Sequence, residues 1–349
     1  MDQSHLIELQ RAKLIAVASK YFDLDNSHAI GDNPNCVGVK KDNQIWILCE
    51  QPDGSCLLSS VALAQKQKAE QIYIFVSSPT TSLARWASYF VSLKIQIWYF
   101  DKTSAQVLFP TDLEPPAPLV FDPNGFVEEI EKAGARSLIQ DGILIADVKG
   151  LEVARVVQDP DLQFRLRVGV GRNDRQGHAI MNPDAKTSDL LPRVVKEILT
   201  YRKPGIPLRK ENTLCSQNWL RHIVINNPSL IGASSLSPSF IPGYLVGPNS
   251  TSPAVAGGFD KDGSPIGAIF YVGIDPQIIL SAIDVRISLA RDFFNNKYRP
   301  DDINILIVIP QGDDHPFITK LANLLHPKPI VTTVPKNWRS LDVDTQLVI

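Results

Sequence analysis

Two proline-rich stretches limit how this chain can fold. PTDLEPPAPLVFDPN at 110–124 and NNPSLIGASSLSPSFIPGYLVGPNSTSP at 226–253 carry five prolines each. Proline fixes φ near about −65° and lacks the N–H donor that helix and sheet interiors use. Both stretches read as extended connections, a linker at 110–124 and a Pro/Ser/Gly-rich loop at 226–253. They cut the chain into blocks 1–109, 125–225 and 254–349. A chain of 349 residues is long for one hydrophobic core, so two or three domains are expected from size alone.

The first block opens with SHLIELQRAKLIAVASKYF, whose apolar spacing predicts an amphipathic helix capped by Ser4. CVGVKK, a DN turn and QIWILCE predict a β-hairpin. Helix LLSSVALAQKQKAE, strand IYIFVSS, helix SLARWASYF and strand KIQIWYF complete an α-β-β-α-β-α-β order. The last block repeats it. Helix CSQNWLRHIVIN, at about 212–226, leads; hairpin AVAGGF/IGAIFYVGI follows across a DKDG turn. Then come helix PQIILSAIDVRISLARDFF, strand INILIVIP, helix DHPFITKLANLLH and strand PIVTTV. Residue identity between the two is low, so the duplication is inferred from pattern. The middle block predicts helix VEEIEKAG, strands GILIADV, LEVARVV and FRLRVGVG, and helix DLLPRVVKEILTYR. The expected fold is α/β: two similar sheet-and-helix units flanking a β-rich α+β middle module.

The layout of the flanking units resembles the restriction-endonuclease-like PD-(D/E)XK superfamily. WLRHIVINNPSLIGA is similar to the leading helix and its exit in several members, and AVAGGFDKDGSPIGAIFYVG to their central hairpin. That family's chemistry needs an acid on the first hairpin strand and E-x-K on the second, the carboxylates holding Mg²⁺. Here the acid position falls near Gly257, and the second strand ends FYVG with neither carboxylate nor lysine. In the first block Glu50 ends the second strand as E-x-P, and Lys40 and Lys41 stand at the far end of the hairpin. The resemblance therefore implies degenerate sites in both flanking units. GLEVARVV with VGVGRNDRQ and NWLRHIV also resembles an uncharacterised protein family of actinobacteria, which implies no activity.

The middle block concentrates charge in GLEVARVVQDPDLQFRLRVGVGRNDR. Strand alternation puts Arg165 and Arg167 on one face of their strand and Glu152 on the face of LEVARVV opposite to Arg155, with Glu152 across from the arginines in a hairpin through QDPD. One reading is a solvated cross-strand ion pair contributing about 0.2–1 kcal/mol. The other is a site: Glu152 and Asp174 as catalytic or Mg²⁺-binding carboxylates, Arg172 and Arg175 holding a phosphate, VGVG admitting a ligand to the backbone. VGVGRND is not a dinucleotide fingerprint, because it does not clearly open a helix. His178 is close enough in sequence to join.

From Arg193 to His222 the chain carries a net charge of +5 with Tyr201 and Trp219 interleaved. Arg202, Lys203, Arg209 and Lys210 are the candidate nucleic-acid contacts, since clustered cations meet phosphates and aromatics stack on bases. The other reading is a solvated helix end. In QGDDH, Asp313, Asp314 and His315 could ligate a metal, or cap a helix. Trp46, Trp86 and Trp98 read as packing.

The whole chain has a formal net charge of −2 and pI ≈ 6.3, so no global field favours nucleic acid or an acidic membrane. Four cysteines without metal-finger spacing and no apolar leader lead to the expectation of a soluble, cytoplasmic, reduced protein. The expected function is binding of nucleic acid or a protein partner without hydrolysis, with no cofactor and no membrane. The alternatives are a metal-dependent enzyme on a phosphate-bearing substrate, with its site at Glu152 and Asp174, and an assembly module.

Overall fold

The computed structural model describes residues 3–33, 36–101, 104–181, 186–206, 213–244 and 251–341. The chain is mixed α/β with three open sheets. Chain contacts divide it into two compact units. Unit 1 comprises 1–113, 275–283 and 316–329; unit 2 comprises 114–274, 284–315 and 330–349.

The first sheet follows helix α1 (Gln3–Ala18) and has strand order β1 (His28–Asn33), β2 (Cys36–Lys41), β3 (Gln44–Cys49), β4 (Gln71–Val76), β5 (Lys94–Phe100), β6 (Ala105–Leu108). Helix α2 (Gly54–Lys66) links β3 to β4, and α3 (Thr81–Ala87) links β4 to β5. The β1–β2 and β2–β3 ladders are antiparallel, and β3–β4 and β4–β5 are parallel. Helix α1 begins at Gln3, so Ser4 stands inside it instead of capping it. One face of the sheet packs Trp46, Tyr73 and Phe75 against Leu14 and Ala18 of α1. Trp46 and Tyr73, register partners on parallel strands, stack with ring centroids 5.3 Å apart.

Asp53 caps α2 by accepting from the Cys56 N–H at 3.0 Å. The cap fixes Cys56 beside the end of β3, where it forms a disulfide with Cys49 across a Cα–Cα distance of 6.3 Å. The expectation of reduced cysteines does not hold for this pair. Its spacing signals no motif; the strand-to-helix turn brings the two together. Cys36 and Cys215 are buried and stand outside this disulfide.

The middle sheet is an antiparallel meander with order β10 (Phe164–Val168), β9 (Leu151–Gln158), β8 (Ile143–Val148), β7 (Arg136–Gln140). Helix α4 (Asn124–Lys132) precedes it; α5 (Gly171–Met181) and α6 (Thr187–Tyr201) follow. The third sheet has order β11 (Ala233–Ser239), β12 (Ala254–Asp260), β13 (Pro265–Phe270), β14 (Asn304–Pro310), β15 (Ile330–Val334). Helix α7 (Ser216–Asn226) leads into it, α8 (Ile278–Ser288) joins β13 to β14, and α9 (Pro316–Ala322) joins β14 to β15. Its ladders run antiparallel, antiparallel, parallel, parallel, the same succession as the first four ladders of the first sheet, which adds an antiparallel β5–β6 pair.

The structure adds β1, β6, β7, β11 and α5 to the elements read from sequence. The stretch 226–253 is not wholly loop, because β11 lies within it and admits Pro238 at the sheet edge, where the missing N–H faces no neighbour. With β1 and β11, each flanking unit reads helix, three strands, helix, strand, helix, strand.

Within unit 1, the exit of α3 touches that of α9, and the start of α2 touches that of α8. Phe90, three residues after α3, forms an antiparallel bridge with Leu325, three residues after α9. The His326 N–H donates to the Tyr89 carbonyl at 2.9 Å. At the start of α2, a Cβ on Gly54 would stand 2.8 Å from Leu280 near the start of α8.

Candidate functional site

Glu152 is 6% exposed and sits on β9. Strand alternation alone would turn it away from Arg155. The β8–β9 ladder slips by one residue instead: Ala146 faces Ala154, yet Asp147 faces Glu152, leaving Val153 as a bulge. A bulge inserts one unpaired residue and re-aims the side chains beyond it. Glu152 thereby joins the face of Arg155, which binds it in a fork, Nε to Oε1 and Nη2 to Oε2, both 2.6 Å. Arg175 Nη1 donates to the same Oε1 at 2.7 Å and to the Gly169 carbonyl at 3.3 Å. The hydrogen bond to Glu152 holds the Arg155 guanidinium above its ordinary pKa, while burial pulls Arg175 below it.

Arg165 and Arg167 share the face of Arg155, which lies directly opposite Arg167. Their carboxylate is not Glu152 but Asp159, in the β9–β10 turn. It accepts from Arg165 Nη1 at 2.6 Å and from Arg167 Nη2. Arg165 Nη2 also reaches Asp161 at 2.5 Å. Asp174 lies in the first turn of α5, where its Oδ2 accepts from the Val170 N–H at 2.6 Å. Helix α5 begins at Gly171, the last residue of VGVG, so this stretch does open a helix, contrary to the sequence reading. Arg172 is exposed on that turn, and His178 falls in the same helix.

These carboxylates are already held by guanidinium or backbone donors. Both oxygens of Glu152 accept from arginine, and Asp174 is drawn to the start of its own helix. No group of three or more His, Cys, Asp or Glu residues that could hold a metal ion occurs among the described residues.

The basic strip is divided by burial. Arg202 is 1% exposed. Its Nη1 donates to the Lys149 carbonyl at 2.6 Å, its Nη2 donates to the Leu214 carbonyl, and its guanidinium lies 5.2 Å from the Trp219 ring. Burial pushes its pKa down to about 10. Lys149 Nζ returns a bond to the Arg202 carbonyl at 3.0 Å. Trp219 and Arg221 are buried too. Arg202 is thus a clasp between the β8–β9 turn and the segment entering α7, not a surface cation. Arg193, Lys196 and Lys203 are exposed, beside exposed Glu197. Arg209 and Lys210 lie outside the described residues.

The positions where nuclease chemistry would reside are also occupied. Gly257 and Gly267 face each other on β12 and β13. A Cβ on Gly257 would stand 2.8 Å from Phe293, and one on Gly267 would stand 2.4 Å from Leu289. Apolar side chains that follow α8 press onto bare backbone there. In the first unit Glu50 pairs with Lys13 at 3.0 Å, Lys40 Nζ donates to the Gln67 carbonyl at 2.7 Å, and Lys41 pairs with Asp23 at 2.7 Å. Asp313 accepts from the distant Gly273 N–H at 2.8 Å and so ties two segments together, while Asp314 accepts from the Gly312 N–H at 3.0 Å and closes a local turn.

Comparison with protein-family profiles, with curated proteins and with solved structures finds no match. No helix among the described residues is long and apolar enough to cross a membrane.

Proposed function

We propose that this chain is a binding protein on a degenerate nuclease-like architecture, that its flanking units do not hydrolyse phosphodiesters, and that its partner is a protein. The observation that carries the reading is the packing of Leu289 and Phe293 against Gly257 and Gly267. A nuclease of this layout needs that hairpin free for a carboxylate, a lysine and water. The shared order of elements and ladder senses in the two flanking units supports a common, duplicated origin. Burial of Arg202, Trp219 and Arg221 removes cations and the tryptophan from the basic strip, which favours a protein over nucleic acid.

Fluorescence anisotropy with labelled single- and double-stranded DNA and RNA, with and without Mg²⁺ or Mn²⁺, tests this. The expected result is neither salt-sensitive binding nor probe cleavage. Salt-sensitive binding weakened by Lys203→Glu would make nucleic acid the partner. Metal-dependent cleavage abolished by Glu152→Ala would overturn the non-hydrolytic reading.

A further inference from the structure

Three of the four cysteines meet on one face of the first sheet. Cys36 and Cys49 are register partners on the antiparallel strands β2 and β3. Such partners project to the same face and stand about 4.5–5.5 Å apart between Cα atoms, inside the window of about 4.4–6.8 Å that a disulfide spans. Cys49 turns toward α2, where it is bonded to Cys56. An independent contact turns Cys36 the same way: its Sγ lies 3.9 Å from Oγ of Ser60, one turn further along α2 than Cys56. That hydroxyl donates to the Cys56 carbonyl at 2.8 Å. The Cys36 thiol and the two bonded sulfurs thus share the space between the β2–β3 hairpin and one turn of α2, and all three residues are buried.

Disulfides exchange when a thiolate attacks one of the bonded sulfurs, at a rate set by access as well as by thiolate content. Burial keeps bulky thiols in solution away from this bond, whereas Cys36 already stands beside it. We propose that Cys36, Cys49 and Cys56 form a thiol–disulfide exchange site in which the bridge moves between Cys49–Cys56 and Cys36–Cys49.

In the forward step the Cys36 thiol gives its proton to solvent and its sulfur attacks Sγ of Cys49. The Cys36–Cys49 bond forms, the Cys49–Cys56 bond breaks, and the departing electron pair leaves on Cys56, which takes up a proton. One disulfide and one thiol enter and one of each emerges, so the step consumes no oxidant or reductant. In the first state the end of β3 is tied to the start of α2. In the second the β2–β3 hairpin is stapled at the end away from its turn, and α2 loses its covalent tether. The released turn is the one where Gly54 packs against Leu280 and Gln277, so exchange bears on the contact between α2 and the 275–283 segment of unit 1.

The test is peptide mapping by mass spectrometry of the folded full chain, quenched in acid and alkylated without reduction. Burial pushes the Cys36 thiol above its ordinary pKa, so incubation is at mildly alkaline pH, where more thiolate is present. In the wild type, a Cys36–Cys49 link and an alkylated Cys56 are expected to appear together. Cys56→Ser, treated with oxidised glutathione, should close Cys36–Cys49 in preference to a glutathione adduct by about tenfold or more, because positioned neighbours react at high effective concentration. A wild type that keeps only Cys49–Cys56, with Cys36 the sole alkylated member of the three, would overturn the exchange. Glutathione adducts in place of the Cys36–Cys49 link in folded Cys56→Ser would overturn the site. Links to Cys215 in similar yield would show scrambling through the unfolded chain and would also defeat the proposal. If Cys56→Ser does not fold, the wild type decides, with Cys36→Ser as the control that must retain its original bridge.

Discussion

Glu152 lies beneath two arginines, accepts from both and is almost wholly shielded from solvent. Replacing it with glutamine leaves Arg155 and Arg175 without their carboxylate in a largely buried setting. Losing one partner of a buried pair costs about 3–5 kcal/mol, and less where an arginine is partly exposed, as Arg155 is. Glu152→Gln should therefore lose about 2–3 kcal/mol in urea denaturation; a change near zero would mean the pairs contribute nothing to stability. Asp147 is a second residue with a measurable signature. Burial raises its pKa above the ordinary 3.8, opposed by Arg221 and Arg202. A carboxyl raised in the folded state favours folding fully below the unfolded value, and that contribution is lost as pH rises through the folded value. Asp147→Asn should keep the acceptor for the Gly150 N–H and remove this dependence. The variant should gain on the wild type in denaturation experiments as pH rises from about 4 toward neutrality.

Elements respond to packing that their own sequences do not display. Gly267→Ala would put a methyl into Leu289 and Ile305, and overpacking of this kind costs about 1–3 kcal/mol. The measurement is the urea midpoint at unchanged m-value. Reducing the Cys49–Cys56 disulfide opens a short loop and should cost unit 1 about 2–3 kcal/mol by chain entropy, read as a lower Tm in reductant that Cys49→Ser/Cys56→Ser reproduces. What the sequence made legible follows the same physics. INILIVIP and IYIFVSS are mostly buried apolar runs, KIQIWYF is an apolar strand that exposes Lys94 and Gln96, and all three stand where periodicity puts them. The strands β1 (HAIGDN), β7 (RSLIQ) and β11 (ASSLSPS) lie on sheet edges, where one neighbour is missing and polar or proline residues are admitted. They carry little strand signal. At the charged face, the residue types and the hairpin were readable, but the pairing was not. One bulged residue, Val153, reverses the side on which Glu152 falls, and alternation has no way to show it.

At the scale of the molecule, unit 1 brings the exit of α3 to that of α9, Phe90 with Leu325, and the start of α2 to that of α8, Gly54 with Leu280. Contacts between like surfaces are the geometry of an isologous pair. A fragment of residues 1–113 lacks the 275–283 and 316–329 segments that complete its unit. It should therefore self-associate through α2 and α3 as a dimer in analytical ultracentrifugation, and Phe90→Arg should return it to monomer. A fragment monomeric at every concentration would break the analogy.

Lys149 and Gly150 both take positive φ in the two-residue turn joining β8 to β9, and a Cβ on Gly150 would stand 2.3 Å from the backbone of Asn218 in α7. A saturation library over this turn would sort by geometry instead of by chemistry. Position 150 would return glycine alone. At position 149 asparagine would satisfy the backbone yet forfeit the ammonium that reaches Arg202, so the two neighbours would show different tolerance for different reasons.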